Sequence, residues 1–166
     1  MADSVLQIGE KGSILLFVQF TLAHIGGRRS PGDEFDSLTQ FYVRRVSGYV
    51  PCEATAFRKE QEFVDWLERK PGRVSPTAVL LDSRGRQMTS ERFADWLGTR
   101  RDEGARHIVF AIGASDGWTE AVRGRAQLLL SLGPMTLAHA LARLVMAEQL
   151  YRACTILAGH PYHTGH

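Results

Sequence analysis

The sequence predicts an α/β fold built on a mainly parallel sheet flanked by helices. Apolar runs of strand length alternate with segments whose apolar residues recur at helical spacing, the pattern of strands joined by helical crossovers. Two of these runs, TAVLL at 77–81 and HIVFAI at 107–112, are apolar at nearly every position, as parallel strands covered on both faces should be. The length of 166 residues and apolar fraction of 44% fit a single globular domain, read here as 14–166 behind a loosely held extension over 1–13.

The elements follow in order. Residues 15–24 make the first strand, closed by Ile25-Gly26-Gly27. A helix over 34–47 sets Phe35, Leu38, Tyr42, Val43 and Val46 on one face. Residues 50–57 form a modest second strand. A helix over 59–69 turns Phe63, Trp66 and Leu67 inward and ends at Pro71-Gly72. After strand 77–81, a helix over 90–100 buries Phe93, Trp96 and Leu97, with Ser90 as its N-cap. Strand 107–112 and a last strand over 126–132 precede the longest helix. The helical spacing of Trp66 and Trp96 with other apolar residues makes them core rather than platforms for stacked bases. Trp118 follows a loop and is read either as a pocket wall or as packing.

That last helix is the most unusual segment. Residues 135–163 read MTLAHALARLVMAEQLYRACTILAGHPYH, and from 137 to 158 the fully charged side chains are Arg143, Glu148 and Arg152. A surface helix normally keeps a polar face, so one this apolar is expected to be covered by its own sheet on one side and by a partner chain on the other. Gly159 suits a left-handed cap and Pro161 prevents continuation. The tail His160-Pro161-Tyr162-His163 then brings two imidazoles and a phenol together.

Charge and cysteine usage narrow the partners. The net charge is only +2, which argues against a large, purely electrostatic nucleic-acid surface. Among the 20 basic residues 17 are Arg, a side chain suited to phosphate, although a coding bias explains the excess equally well. Cys52 and Cys154 lack metal-ligand spacing, so no metal is expected, and both read as free thiols of a reducing cytoplasm. The apolar run 14–25 contains Gln19 and His24 and is too short to span a bilayer; it reads as a buried strand, with no membrane partner.

Three glycine-bearing loops follow buried strands: Leu81-Asp82-Ser83-Arg84-Gly85, Gly113-Ala114-Ser115-Asp116-Gly117, and Leu132-Gly133-Pro134-Met135-Thr136. In an open α/β sheet ligands bind beyond the carboxyl ends of the strands, where glycine lets backbone approach closely. None of the three is a dinucleotide fingerprint or a phosphate loop with its Lys. Taken singly each reads as an ordinary turn.

The ordered set LLDSRGRQMTSERFADWL, IVFAIGASDG, LSLGPMTLAHALARLVMAEQLYRA and HPYH resembles the ribosomal RNA large subunit methyltransferase H family, of the SPOUT class. The resemblance spans roughly residues 15–163 and is strongest from Val79 onward. It implies an S-adenosylmethionine-dependent enzyme that methylates N3 of a pseudouridine in 23S rRNA of the assembled ribosome, a homodimer, and a trefoil knot in the C-terminal half. It also implies that Leu81, Gly113 and the run Leu132, Gly133, Pro134, Met135, Thr136, Leu137 hold the cofactor. The chain departs from the family pattern at Gly113-Ala114, where Gly-Gly is usual, at Ala138, usually Pro, and at Thr164-Gly165-His166, where a basic residue often follows. The segment between the second and third strands is also shorter than usual.

Methylation at N3 requires loss of the N3 proton, so a base or polarising group is expected beside it. His163 and Tyr162 of the tail are the first catalytic candidates for that base and His139 a third, although His139 reads more readily as capping or packing at the helix start. Arg143, Arg152 and His160 are expected at the RNA or at a dimer contact, although Glu148 and Arg152 at i,i+4 also suit a simple ion pair. Two alternatives stay open: a SPOUT enzyme with another RNA target, and a ribosome-binding dimer that has lost catalysis.

Overall fold

The computed structural model describes residues 18–26, 33–69 and 75–164; the expected extension over 1–13 and the side chain of His163 lie outside the described residues. The elements are β1 (Gln19–Ile25), α1 (Glu34–Val46), β2 (Cys52–Phe57), α2 (Glu60–Arg69), β3 (Thr77–Gln87), α3 (Ser90–Asp102), β4 (His107–Ile112), α4 (Glu120–Arg123), β5 (Leu128–Ser131) and α5 (His139–Leu157), with a short 3₁₀ turn at Pro161–Thr164. The five strands form one parallel sheet in the order β2-β1-β4-β3-β5.

Side chains alternate across each strand, and both faces are covered. Phe20, Leu22, Val79, Ile108, Phe110, Ile112 and Leu130 pack with Val43, Val46, Phe93, Leu97, Met146 and Leu150 of α1, α3 and α5. Ala23, Ile25, Leu80, Val109 and Ala111 pack with Phe63, Val64, Trp118 and Val122 on the opposite side. This double cover is the physical reason that the central strands read as continuous apolar runs.

Three features differ from expectation. β3 does not stop at Leu81: its pairing with β5 slips between Leu81 and Arg86 and resumes through Arg86 and Gln87. Backbone pairing needs no apolar side chain, so hydropathy marks only the first half of the strand. Gly85 sits in this irregular stretch, where a Cβ would lie 2.6 Å from the backbone carbon of Leu129. The N-cap of α3 is Thr89, whose hydroxyl accepts from the Arg92 amide at 3.3 Å, while the Ser90 hydroxyl donates to Gln149 Oε1 at 2.7 Å. The four-residue α4 is too short to leave a periodic signal.

No residue of α5 is exposed. Cover that the sequence suggested would come from a partner chain is supplied in part by α1 and α3 of the same chain, which flank the helix over the sheet. Its C-terminus closes as expected. Gly159 has φ +65°, its amide donates to Ile156, and the His160 amide donates to Thr155, which satisfies the last carbonyls in a Schellman motif. Its N-terminus has no side-chain cap, because the cap position is Ala138. Cys154 is buried and Cys52 half-buried, both as free thiols; burial pushes each up to about 12.

Candidate functional site

The three glycine-bearing loops converge beyond the carboxyl ends of β3, β4 and β5 around a cleft of about 560 Å³. That size suits a small-molecule site. Leu81, Asp82 and Ser83 form one wall, residues 113–117 a second, and Leu130–Gly133 with Met135–His139 and Ala142 a third. Of the eight residues expected to hold a cofactor, Leu81, Gly113, Leu132, Gly133, Met135, Thr136 and Leu137 line this cleft; Pro134 stands on the outer side of its loop. A smaller cavity of about 240 Å³, bordered by Met88, Phe93 and Gln149, lies across the Leu130–Gly133 segment.

Local interactions hold each wall. The 113–117 loop is a tight turn in which the Gly117 amide donates to the Ala114 carbonyl at 2.9 Å and Gly117 has φ +81°. In the third wall, Ser131 Oγ accepts from the Gly133 amide at 3.2 Å and donates to the Gly133 carbonyl at 3.1 Å. Trp118 is buried, which resolves its two readings toward packing behind the wall: its Nε1 donates to the Leu81 carbonyl at 3.0 Å and ties the first loop to the second. The indole lies against Gly113, where a Cβ would come within 3.0 Å of the ring. Gly113→Ala is therefore expected to push the indole off Leu81 and cost about 1–3 kcal/mol, the usual cost of overpacking. A shift of the denaturant midpoint to lower concentration with an unchanged slope checks this.

Sequence reasoning missed the ion-pair cluster on the first wall. The Asp82 side chain is 4% exposed, and Arg123 Nε donates to its Oδ2 at 2.6 Å. The Arg84 amide donates to Oδ1 at 2.9 Å, and Glu120 Oε1 receives Arg84 at 3.0 Å and Arg123 at 2.9 Å. Burial alone would raise the Asp82 carboxyl, but the bonds and charges of Arg123 and Arg84 outweigh it and hold the group below the usual carboxylate range. Asp82 and Arg123 lie 41 positions apart, and only the first belongs to a loop that glycine spacing marks.

The basic and aromatic residues expected at the substrate are distributed differently. Arg143 is only 6% exposed in the protomer; its guanidinium lies 3.7 Å from Asp36 and 3.4 Å from His24. Arg152 makes the i,i+4 pair with Glu148 at 2.8 Å. His160 is exposed, and its Nδ1 accepts from the Tyr162 amide at 3.2 Å. Tyr162 does not line the cleft. Its ring packs on Tyr151 at 4.7 Å and under Arg152, and its hydroxyl lies 3.3 Å from Glu148 Oε1. Burial, with Tyr42 and Glu148 nearby, pushes the phenol up to about 12. It stays protonated near neutrality and can donate a hydrogen bond but not accept a proton. Glu148 lies six residues along α5 beyond Ala142, the last helix residue of the cleft lining, which sets it about 9 Å further along the axis at 1.5 Å per residue.

His139, the first residue of α5, does line the cleft. Burial and the Arg143 charge lower its pKa, against the opposing pull of the Gly113 and Ile25 backbones. Among the described residues no group of three or more His, Cys, Asp or Glu is arranged to hold a metal ion, and no helix is long and apolar enough to cross a membrane.

Comparison with known proteins gives three findings. The family described as predicted SPOUT methyltransferase matches residues 18–163. The ribosomal RNA large subunit methyltransferase H of Koribacter versatilis (strain Ellin345) is 48% identical over 130 residues, 78% of this chain and 88% of that protein. The protein of the same name from Allorhizobium ampelinum is 42% identical over 132 residues, 80% of this chain and 78% of its own.

Proposed function

This chain belongs to the ribosomal RNA large subunit methyltransferase H family of SPOUT methyltransferases, and from that premise we propose that it methylates N3 of a pseudouridine in 23S rRNA of the assembled ribosome, in the cytoplasm, as a homodimer using S-adenosylmethionine. The single observation that carries the reading is the convergence of three backbone-rich loops on one cleft at the strand ends. The residues fit the cofactor. The uncapped N-terminus of α5 opens at the cleft and favours a carboxylate. The cationic Arg123 is already neutralised by Asp82, so the wall does not repel a sulfonium. Leu81, Gly113, Leu132, Gly133, Met135, Thr136 and Leu137 hold it, with Pro134 shaping the third loop from outside. The cofactor supplies a methyl group on a positively charged sulfur, which leaves as a neutral thioether.

The protein's own share of the chemistry is to orient the acceptor base, exclude water and receive the N3 proton. Because Tyr162 is docked on its own α5 away from its own cleft, the reading assigns the tail of one protomer to the cleft of its partner. There Tyr162 donates a hydrogen bond and His163 contacts the acceptor base. His160 and Arg152, at the base of the tail, face the RNA or the second protomer. Arg143 acts inside the protomer.

The test is calorimetric titration of the purified protein with S-adenosylmethionine, with its mass in solution measured alongside. Methylation of 23S rRNA in intact ribosomes and in naked RNA follows, with mass mapping of the modified nucleotide. A dimer that binds the cofactor and modifies N3 of a pseudouridine only in ribosomes is the expected result. Cofactor binding by a monomer would remove the shared-tail arrangement. Modification of another nucleotide would redirect the reading to a different RNA target.

A further inference from the structure

Among the described residues, two polar atoms at the start of α5 are buried without a hydrogen bond: His139 Nε2 and Arg143 Nε. The residues stand four apart and so share one helix face, with the His139 ring bordering the cleft and Arg143 behind it. Among the described residues two long contacts engage the guanidinium, His24 Nε2 at 3.4 Å and Asp36 Oδ1 at 3.7 Å. Arginine can only donate, so the His24 contact is a hydrogen bond in the tautomer that leaves Nε2 unprotonated. The His24 and His139 rings meet edge to face at 5.7 Å. Groups from four elements thus converge on the His139 ring: His24 and the Ile25 backbone from β1, the Gly113 backbone after β4, Arg143 from α5 and, through Arg143, Asp36 from α1.

Of the other charged groups on the cleft wall, the Asp82 carboxylate is bound by Arg123 and Arg84 and Arg123 cannot accept a proton, while Asp116 stands exposed at a turn tip. Tyr162 lies away on its own helix.

We propose that His139 accepts the proton of the acceptor base in the cleft, and that Arg143, one turn further along α5, is its positioning residue. This rests on the methyltransferase reading above. The N3–H bond breaks and the proton passes to the imidazole; the electron pair left on N3 takes the methyl group; the imidazolium then returns its proton to water. Burial and the Arg143 charge lower the His139 pKa against the backbone hydrogen bonds of Gly113 and Ile25, a net shift in the direction a base needs. The Asp36 carboxylate behind Arg143 moderates the clash of two cations while His139 carries the proton.

His139→Asn tests the first half. It is expected to bind S-adenosylmethionine as the wild type does in calorimetry, yet to methylate ribosomal RNA about 10²- to 10⁴-fold more slowly and without the acidic limb of the pH–rate profile. A wild-type rate, or rate and affinity falling together, overturns it. NMR titration of the His139 ring in the cofactor-free protein tests the second half. Removing the neighbouring cation in Arg143→Met should move the ring's titration to higher pH, and Arg143→Lys should restore it. A titration that Arg143→Met leaves in place overturns the positioning role, which simple packing would also fail to move. A wild-type protein that methylates no large-subunit RNA overturns the underlying reading instead, and the ring titration still decides the coupling.

Discussion

Gly85→Ala is expected to lower the melting temperature by about 10 °C and to weaken cofactor binding with it. The added Cβ would lie 2.6 Å from the Leu129 carbonyl carbon, 2.7 Å from its oxygen and 2.8 Å from the Leu130 carbonyl carbon. All three are backbone atoms of a paired strand, so no rotamer change relieves the clash. Either β3 and β5 separate or the register beyond Leu81 is lost. Overpacking costs typically 1–3 kcal/mol, and a clash against backbone belongs at the upper end. In a domain of this size about 3 kcal/mol corresponds to roughly 6–12 °C. The displaced segment continues into Leu130–Gly133, a wall of the cleft, so stability and binding should fall together. Gly124→Ala is the control. Its Cβ would make an ordinary contact at 3.6 Å with φ at −63°, and it should be neutral or slightly stabilising. Equal melting temperatures for the two variants would refute the argument.

Arg123→Met should be nearly as damaging at neutral pH, by a different route. It leaves the Asp82 carboxylate, 4% exposed, without its 2.6 Å partner. Breaking a buried pair by removing one member costs about 3–5 kcal/mol, and the remaining Arg84 contact at 3.6 Å points to the lower end. The pH dependence follows from the sign of the shift. The folded-state pKa of Asp82 lies below the unfolded value, so the group contributes stability above pH ~4 and loses it as pH falls through the folded value. The gap in melting temperature between wild type and Arg123→Met should therefore be widest at pH 7 and narrow toward pH 3. Adding Asp82→Asn removes the stranded charge and should recover part of the loss. A double variant less stable than Arg123→Met alone would sink the idea.

The positions of the strands and of the loops beyond them were legible because burial on both faces leaves apolar runs of strand length, as at Val79–Leu81 and Ile108–Ile112. The end of α5 was legible because Gly159 and Pro161 act through local backbone geometry. What escaped depends on partners distant in sequence. Arg123 reaches Asp82 across 41 positions, Trp118 reaches Leu81 across 37, and Arg143 meets His24 across 119. The capping role of Thr89 over Ser90 turned on a single residue of register. The burial of Arg143 within its own protomer was not legible, because the half-buried Asp36 beside it lies more than a hundred positions away.

The thiols carry a practical consequence. At about 12, neither Cys52 nor Cys154 offers appreciable thiolate at physiological pH, and Cys154 is sealed between α5 and the sheet. A thiol-specific reagent should find the native molecule almost inert. Labelling of Cys154 then requires the helix to lift, so its rate under native conditions counts openings of the longest helix, and the enzyme carries its own clock for local unfolding.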